Sequence, residues 1–386
     1  MSPATVAILA DDLTSAADGA APFRRNGHSA VVLCDVPAGP AAAPSSRTPS
    51  GPPAGPSAAS PGEGVTAVDL GTRIVDAAEA AARTRRAAGV FAGAELLIKT
   101  VDSTLRGHVA AELRAALAGS GRRAAIVAPA FPGEGRTTVE GVQYVRGVRV
   151  DESEFDRDPA HPVRTADLAR VFPEAVLVGP DGLPDAAGKG GVLVCSAATD
   201  ADLDAIVAAV PRPDEVLWVG SPGLADALAR RHSRHPAAAL SALPPVKSPL
   251  VVVGSAHPAS RRQLAVLRER ATGPVAVLHT PEERGTDPAV LLALLVEKVW
   301  RAVTDGGADG LVLTGGETAA AVLDALGADG VELHDEPEPG IARGTLHAPG
   351  RLPRLPVLVK AGGFGDDEAL LRLHALLTEA AAAPGR

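Results

Sequence analysis

Residues 96–121, LLIKTVDSTLRGHVAAELRAALAGSG, decide the fold. An apolar run, LLIKTVD, ends in a tight polar group and is followed at once by a stretch that reads as a helix. A short strand that is aliphatic on both alternating sets of side chains has both faces covered, and a helix directly after it marks a parallel sheet. The same grammar repeats outward in both directions. VAILA (6–10) precedes TSAADGAAPFRRNG, and AVVLCDV (30–36) follows; then come AAIVAPA (124–130), AVLVG (175–179), GVLVCSA (191–197) and EVLWVGS (215–221). The pattern restarts with SPLVVVGSAHP (248–258), PVAVLHT (274–280), GLVLTGGET (310–318) and PVLVKAGGFG (356–365). The expected fold is therefore α/β, with two domains, each a mainly parallel sheet flanked by helices.

The break between the two series is rich in Pro and Ala and has weak periodicity, which suits a connection. It divides an N-terminal domain at 1–235, a linker at 236–249 and a C-terminal domain at 250–386. Residues 37–64 hold eight prolines in 28 residues and read as a disordered loop inside the N-terminal domain.

Composition narrows the class. The chain has 386 residues, of which 46% are hydrophobic and 22% charged, enough for sizeable cores. A net charge of −9 argues against a nucleic-acid binder. No apolar run approaches the roughly 20 residues of a membrane span. The start, MSPATVAILADD, reads as a first strand rather than a leader, so a cytoplasmic protein is expected. Two cysteines, Cys34 and Cys195, sit in apolar strand-like runs and suggest neither a disulfide framework nor a zinc site. No metal ligand set is predicted, and a homodimer is allowed.

Three motifs lie at strand ends in the first series, where open α/β sheets bind ligands. ADDLTSAADGA (10–20) puts two adjacent acids, Asp11 and Asp12, directly after a strand. LLIKTVDSTLRGH crowds Lys99, Asp102, Ser103 and Arg106 into eight residues. Arg106 offers a bidentate fork for a carboxylate, Lys99 a second cation, and Asp102 an acceptor for a hydroxyl proton. APAFPGEGRTTVEGVQYV (128–145) presents Arg136 and two hydroxyls from a Pro- and Gly-fixed loop. In the second series, three aliphatic strands end in glycine turns before helices, at Gly254-Ser255, Gly315-Gly316 and Gly362. Glycines let backbone N–H groups approach phosphates, and a helix N-terminus favours anions. The chain lacks a Walker loop and a G-x-G-x-x-G fingerprint.

Taken together the motifs resemble the four-carbon acid sugar kinase family, in order and over nearly the whole chain. ADDLTSAAD, KTVDSTLRG, PAFPGEGRTTVEGVQYV, DPAHPV (158–163), VGSPGLADALA, LTGGETA, PGIARG (339–344) and KAGGFG carry the resemblance. It departs at Ser15, where glycine is usual, at His257 and Pro258 in the GSxS turn, and at Ala361 and Gly363, where serine and asparagine are usual. The resemblance implies an N-terminal domain for the sugar acid and a C-terminal domain for ATP, with the active site in the interdomain cleft. It implies phosphorylation of erythronate, threonate or a similar acid. Asp11, Asp12, Lys99, Asp102, Ser103 and Arg106 would line the acid-sugar site; Ser255, Gly315, Gly316, Glu317, Thr318 and Gly362 would line the nucleotide site. Mg²⁺ would bridge the ATP phosphates, approached through water by Glu317. Either Asp12 or Asp102 would accept the hydroxyl proton. The rivals are a Rossmann-type dehydrogenase, disfavoured by acids where a pyrophosphate would sit, and a non-catalytic sugar-acid sensor.

Overall fold

The computed structural model describes residues 5–37, 64–158, 161–233, 243–244, 246–255, 257–272, 275–281, 287–338, 340–348 and 354–378. The proline-rich stretch 38–63, and residues 236–242 and 245 of the expected linker, lie outside the described residues. The chain divides into two compact units, Met1–Ala30 with Asp35–Ala237, and Val31–Cys34 with Ala238–Arg386. Both are α/β, with sheets flanked by helices, as the sequence predicts. No helix among the described residues is long and apolar enough to cross a membrane.

In the first unit the strands run in the order Val65–Asp69, Val6–Ala10, Leu96–Thr100, Val216–Gly220, Ala124–Ala128, Gly191–Val194 and Val176–Leu177. Every neighbouring pair is parallel. The first five of these strands are buried at every position. That is why their sequences are mostly apolar rather than alternating, with the polar residues Thr66, Asp69, Lys99 and Thr100 buried among them. Helix Leu13–Arg25 packs on helix Pro222–Arg231, and helix Ala77–Val90 on helix Val109–Ser120. Two features escape the sequence pattern. Strand Val65–Asp69 follows the low-complexity stretch directly and is not among the strands read from the sequence. The stretch 128–145, read as a rigid loop, instead leads into a three-stranded antiparallel sheet of Arg136–Val139, Val142–Val145 and Val148–Arg149. Its turns are tight, with Glu140 and Arg146 in the left-handed region, each followed by a glycine there too.

In the second unit, strands Ala276–His279, Pro249–Val253, Gly310–Thr314 and Leu355–Lys360 lie side by side and parallel. An antiparallel pair, Ile341–His347 and Gly330–Glu338, continues the sheet. Neither of the two shows the continuous aliphatic run of the other strands. Their charges face each other across the hairpin instead: Asp335 is opposite Arg343 in register, and Arg343 Nε donates to its carboxylate at 2.7 Å. Next to Gly330–Glu338 lies Ala30–Leu33, most of which belongs to this unit although it comes early in the chain. Cys34 N–H donates to the Asp329 carbonyl. Gly330 is what permits this approach, since a Cβ there would stand 2.2 Å from the Val32 carbonyl oxygen. A core of Val251, Val253, Leu264, Leu267, Val312, Leu358, Leu370 and Leu373 holds two helices to this sheet.

Candidate active site

The candidate residues of each unit stand at the carboxyl ends of its central strands. In the first, strand Val6–Ala10 delivers two carboxylates with different tasks. Asp12 caps helix Leu13–Arg25, with Oδ1 accepting from Ser15 N at 2.7 Å and from the Thr14 hydroxyl at 2.8 Å. Asp11 turns the other way and is 4% exposed. Its Oδ2 accepts Arg73 Nε and Nη2 at 2.9 and 2.6 Å, while Oδ1 is buried without a hydrogen-bond partner. Arg73 Nη1 reaches Asp12 Oδ2 at 2.7 Å, so one guanidinium bridges both acids. Burial works to raise the Asp11 pKa, but Arg73, and behind it Lys99, outweigh that and hold the carboxyl below its ordinary value.

Strand Leu96–Thr100 delivers the second group. Asp102 binds Arg106 Nε and the Thr104 hydroxyl. Burial opposes its ionisation, yet Arg106 and Arg73 hold it far below the usual carboxylate range. The Arg106 guanidinium also reaches Asp158 at 3.4 Å and lies 5.2 Å from the centre of the Phe155 ring, so an aromatic face supports it. Between these groups the backbone is forced: Leu105 has φ +64°, unusual for a branched aliphatic residue, and Gly107 has φ +90°. A Cβ at Gly107 would come 3.7 Å from Asp11 Oδ2, which brings this turn against the first acid. Strained backbone of this kind concentrates at binding sites.

The predicted residues divide. Asp11, Asp12, Asp102 and Arg106 belong to one charged group, joined by Arg73. Ser103 stands in the turn, where its carbonyl accepts from Gln143 Nε2 at 2.7 Å. Lys99 is wholly buried, its ammonium 2.7 Å from Glu112 Oε2 and bonded to the Thr100 carbonyl. Arg136 pairs with Glu134 on its own hairpin, at 3.2 Å.

Several members were not predicted. Arg73 follows the strand that the low-complexity stretch disguises. His161 and His108 fix its segment: each Nε2 lies at hydrogen-bond distance from a carbonyl, of Arg73 at 2.6 Å and of Val75 at 2.7 Å. A carbonyl only accepts, so both rings carry the proton on Nε2. Their rings meet edge to face at 5.2 Å. Asp18 and Asp69 complete the acidic surroundings. Desolvation, then the charge of Asp12, pushes Asp18 up to about 8; desolvation pushes Asp69 up to about 7 against the Gly71 N–H bond. Asp158 and Asp18 do stand inside the motifs DPAHPV and ADDLTSAAD, which was the available signal.

In the second unit three neighbouring strand ends meet around Ser255. Ser255 Oγ would be 2.2 Å from a Cβ on Gly362, and Ser255 N lies 3.5 Å from the corresponding point on Gly315, whose φ is +101°. The positive φ favours glycine at 315, and at 362 a side chain would have to displace the Ser255 hydroxyl. Helix Gly316–Ala325 starts at Gly315 with no side-chain cap on its first N–H groups. Glu317 is exposed in its first turn, and Thr318 is buried beneath Gly254. The turn after Lys360 is held from below. Ser260 Oγ donates to the Gly362 carbonyl at 2.7 Å, and Lys360 Nζ to those of Ala361 and Gly362 at 2.8 and 3.3 Å. Gln263 Nε2 donates to the carbonyls of Phe364, Gly365 and Asp366 at 3.0, 3.1 and 2.8 Å. Burial lowers Lys360 to about 8, with Glu338 opposing. Carbonyls gathered inward in this way leave the outer side of the turn less repulsive to an anion. Among the described residues no group of three or more His, Cys, Asp or Glu could hold a metal ion.

One unit thus groups guanidinium-bound carboxylates at its strand ends, and the other groups glycine turns around a hydroxyl and an open helix start, which is the class of a two-domain phosphotransferase. Residues 6–228 match the model of a sugar-binding N-terminal domain, and residues 280–370 that of a nucleotide-binding C-terminal domain. The chain is 35% identical to a D-threonate kinase of Bordetella bronchiseptica, over 97% of this chain and 98% of that one. It is 34% identical to a D-threonate kinase of Cupriavidus necator, with the same shares covered. Its fold is similar to that of Haemophilus influenzae protein HI1011, with a TM-score of 0.70 at 20% identity, over 96% of this chain and 100% of that chain. The protein belongs to the four-carbon acid sugar kinase family and is an enzyme of the phosphotransferase class.

Proposed function

We propose that the protein transfers the γ-phosphoryl group of ATP, with Mg²⁺, to a hydroxyl of a four-carbon sugar acid, with D-threonate the first candidate. The observation that carries this reading is the meeting of three glycine turns on Ser255, where a Cβ at Gly362 would collide with the hydroxyl. Backbone kept bare at that point suits a polyphosphate. The same cradle is the fit for ATP: Ser255, Gly315, Gly316, Thr318 and Gly362 would hold it. Mg²⁺ fits as an ion carried by the phosphates, since such sites need only one or two carboxylates and keep several waters. Glu317 is the exposed carboxylate at the turn that would reach it through water. When bound, the pair supplies the phosphoryl group and neutralises its charge.

The chain's own groups do the rest by position and charge. Arg106, backed by the Phe155 ring, takes the acid's carboxylate. Lys99 adds positive potential without contact, because Glu112 holds its ammonium. Asp102 orients Arg106; held so low, it is a poor proton acceptor. The acceptor role in this reading falls to Asp12, which the helix start and Arg73 keep fixed. Ser103 and Arg136 line the substrate's other side, the first on a turn anchored by Gln143. The test is a coupled ADP-release assay with D-threonate, D-erythronate and their stereoisomers. Turnover of one of them, lost by about 10²–10⁴ in kcat in Asp12→Asn, is the expected result. No ADP release from any four-carbon acid would overturn the reading.

A further inference from the structure

We infer that His161 is a positioning residue of the acid site: its imidazole pins the Arg73 carbonyl and so fixes the guanidinium that bridges Asp11 and Asp12. The inference rests on the reading of Asp12 as proton acceptor and extends it to a residue that touches neither reactant.

Residues 72–75 belong to no helix or strand, so side chains and distant backbone must satisfy their polar groups. On one side, the N–H groups of Thr72 and Arg73 donate to the Asp11 carbonyl at 3.0 and 3.3 Å. On the other side the partners are two imidazoles. His161 Nε2–H donates to the Arg73 carbonyl at 2.6 Å, and His108 Nε2–H to that of Val75 at 2.7 Å. Arg73 is thus held at both of its backbone polar groups. A long side chain gains a defined reach only when its Cα is fixed, and preorganisation of this kind is what a catalytic group needs from its neighbours.

His161 is itself tied to the other charged group. Its N–H donates to Asp158 Oδ1 at 2.8 Å, while Asp158 Oδ2 lies 3.4 Å from Arg106 Nη1. The motif DPAHPV supplies both residues. His108, whose ring packs edge to face on that of His161, comes from the turn that carries Arg106. One connected set of contacts therefore runs from Arg106 through Asp158 and His161 to Arg73. It sets the cation for the acid's carboxylate in register with the support of the proton acceptor.

The experiment uses the full-length protein and its His161→Phe and His161→Gln variants. Phenylalanine keeps a ring against His108 but has no donor; a glutamine amide can present an N–H where Nε2–H stands. The first readout is the Arg73 Nε–H resonance in a proton–nitrogen correlation spectrum, identified as the signal that Arg73→Lys removes. Its bond to Asp11 should keep it slow to exchange in the unsubstituted protein and in His161→Gln, and it should exchange away in His161→Phe. The second is steady-state kinetics with the acid that is turned over. In His161→Phe, kcat should fall about tenfold, as for one lost hydrogen bond, with KM for ATP unchanged; in His161→Gln it should return close to its original value. If His161→Phe does not fold, His161→Ala is read in the same way. An unaltered Arg73 resonance in the donor-less variant overturns the inference, and so does an equal loss of kcat in the donor-less and glutamine variants. Lack of turnover by the unsubstituted protein counts against the kinase reading alone, and the resonance still decides whether His161 places Arg73.

Discussion

Arg73 joins Asp11 and Asp12 with three nitrogen–oxygen contacts, and Asp11 is almost without access to water. Removing the guanidinium leaves two neighbouring carboxylates facing each other. Arg73→Ala should lower stability by about 3 kcal/mol, the usual cost of stranding one partner of a buried pair; urea unfolding reads this, and unchanged stability would show the bridge to be idle. Asp18 carries a pH signature. Its pKa rises from 3.8 in the unfolded chain to about 8 in the folded protein, because desolvation and Asp12 disfavour the charge. Between those values the folded state keeps a proton that the unfolded state has released. Stability from this group is thus full below pH 3.8 and is lost as pH rises towards 8. Asp18→Asn should flatten the fall of melting temperature between pH 5.5 and 8.5, by about 2–4 °C for each kcal/mol recovered. Asp69, raised for a similar reason, leaves part of the slope in place.

At the scale of elements, both groups of strand-end turns depend on supports that lie elsewhere in the chain. Gln143, on the small antiparallel sheet, accepts from Thr138 at 2.6 Å and donates to Ser103, so that hairpin holds the turn carrying Asp102 and Arg106. Helix Pro258–Arg270 does the same for the glycine turn through Ser260 and Gln263, both wholly buried. Replacing Gln263 by leucine keeps the volume but leaves three carbonyls without their shared donor. KM for ATP should rise about tenfold while KM for the acid stays constant. Steady-state kinetics with each substrate varied in turn measures this, and an equal effect on both constants would point to general destabilisation instead. The hairpin Gly330–His347 shows a second principle. Its strands are held by ladder hydrogen bonds and charge pairs rather than by an aliphatic pattern, so no periodic apolar signal marks them.

For the whole molecule, ligand binding should appear as stability. ATP with Mg²⁺, and separately the acid, should each raise the melting temperature, with about 2.7 kcal/mol gained at one hundred times the dissociation constant. A response to the acid alone would support a sensor rather than a kinase. The α/β class and the parallel cores were determined by sequence alone, because a strand covered on both faces is apolar at most positions, and that run is visible without any tertiary information. The strand-end motifs were legible for a related reason: glycine, aspartate and arginine at those points answer local demands of turn, cap and charge. Which charges pair with which was decided only in three dimensions. Lys99 turns to Glu112, thirteen residues on, and Asp11 takes its cation from Arg73, which follows a strand that the sequence hides. Likewise Ala30–Leu33 contributes residues to the second unit although it is early in the chain. Pairing of this kind depends on distance through space, and no periodicity along the chain encodes it.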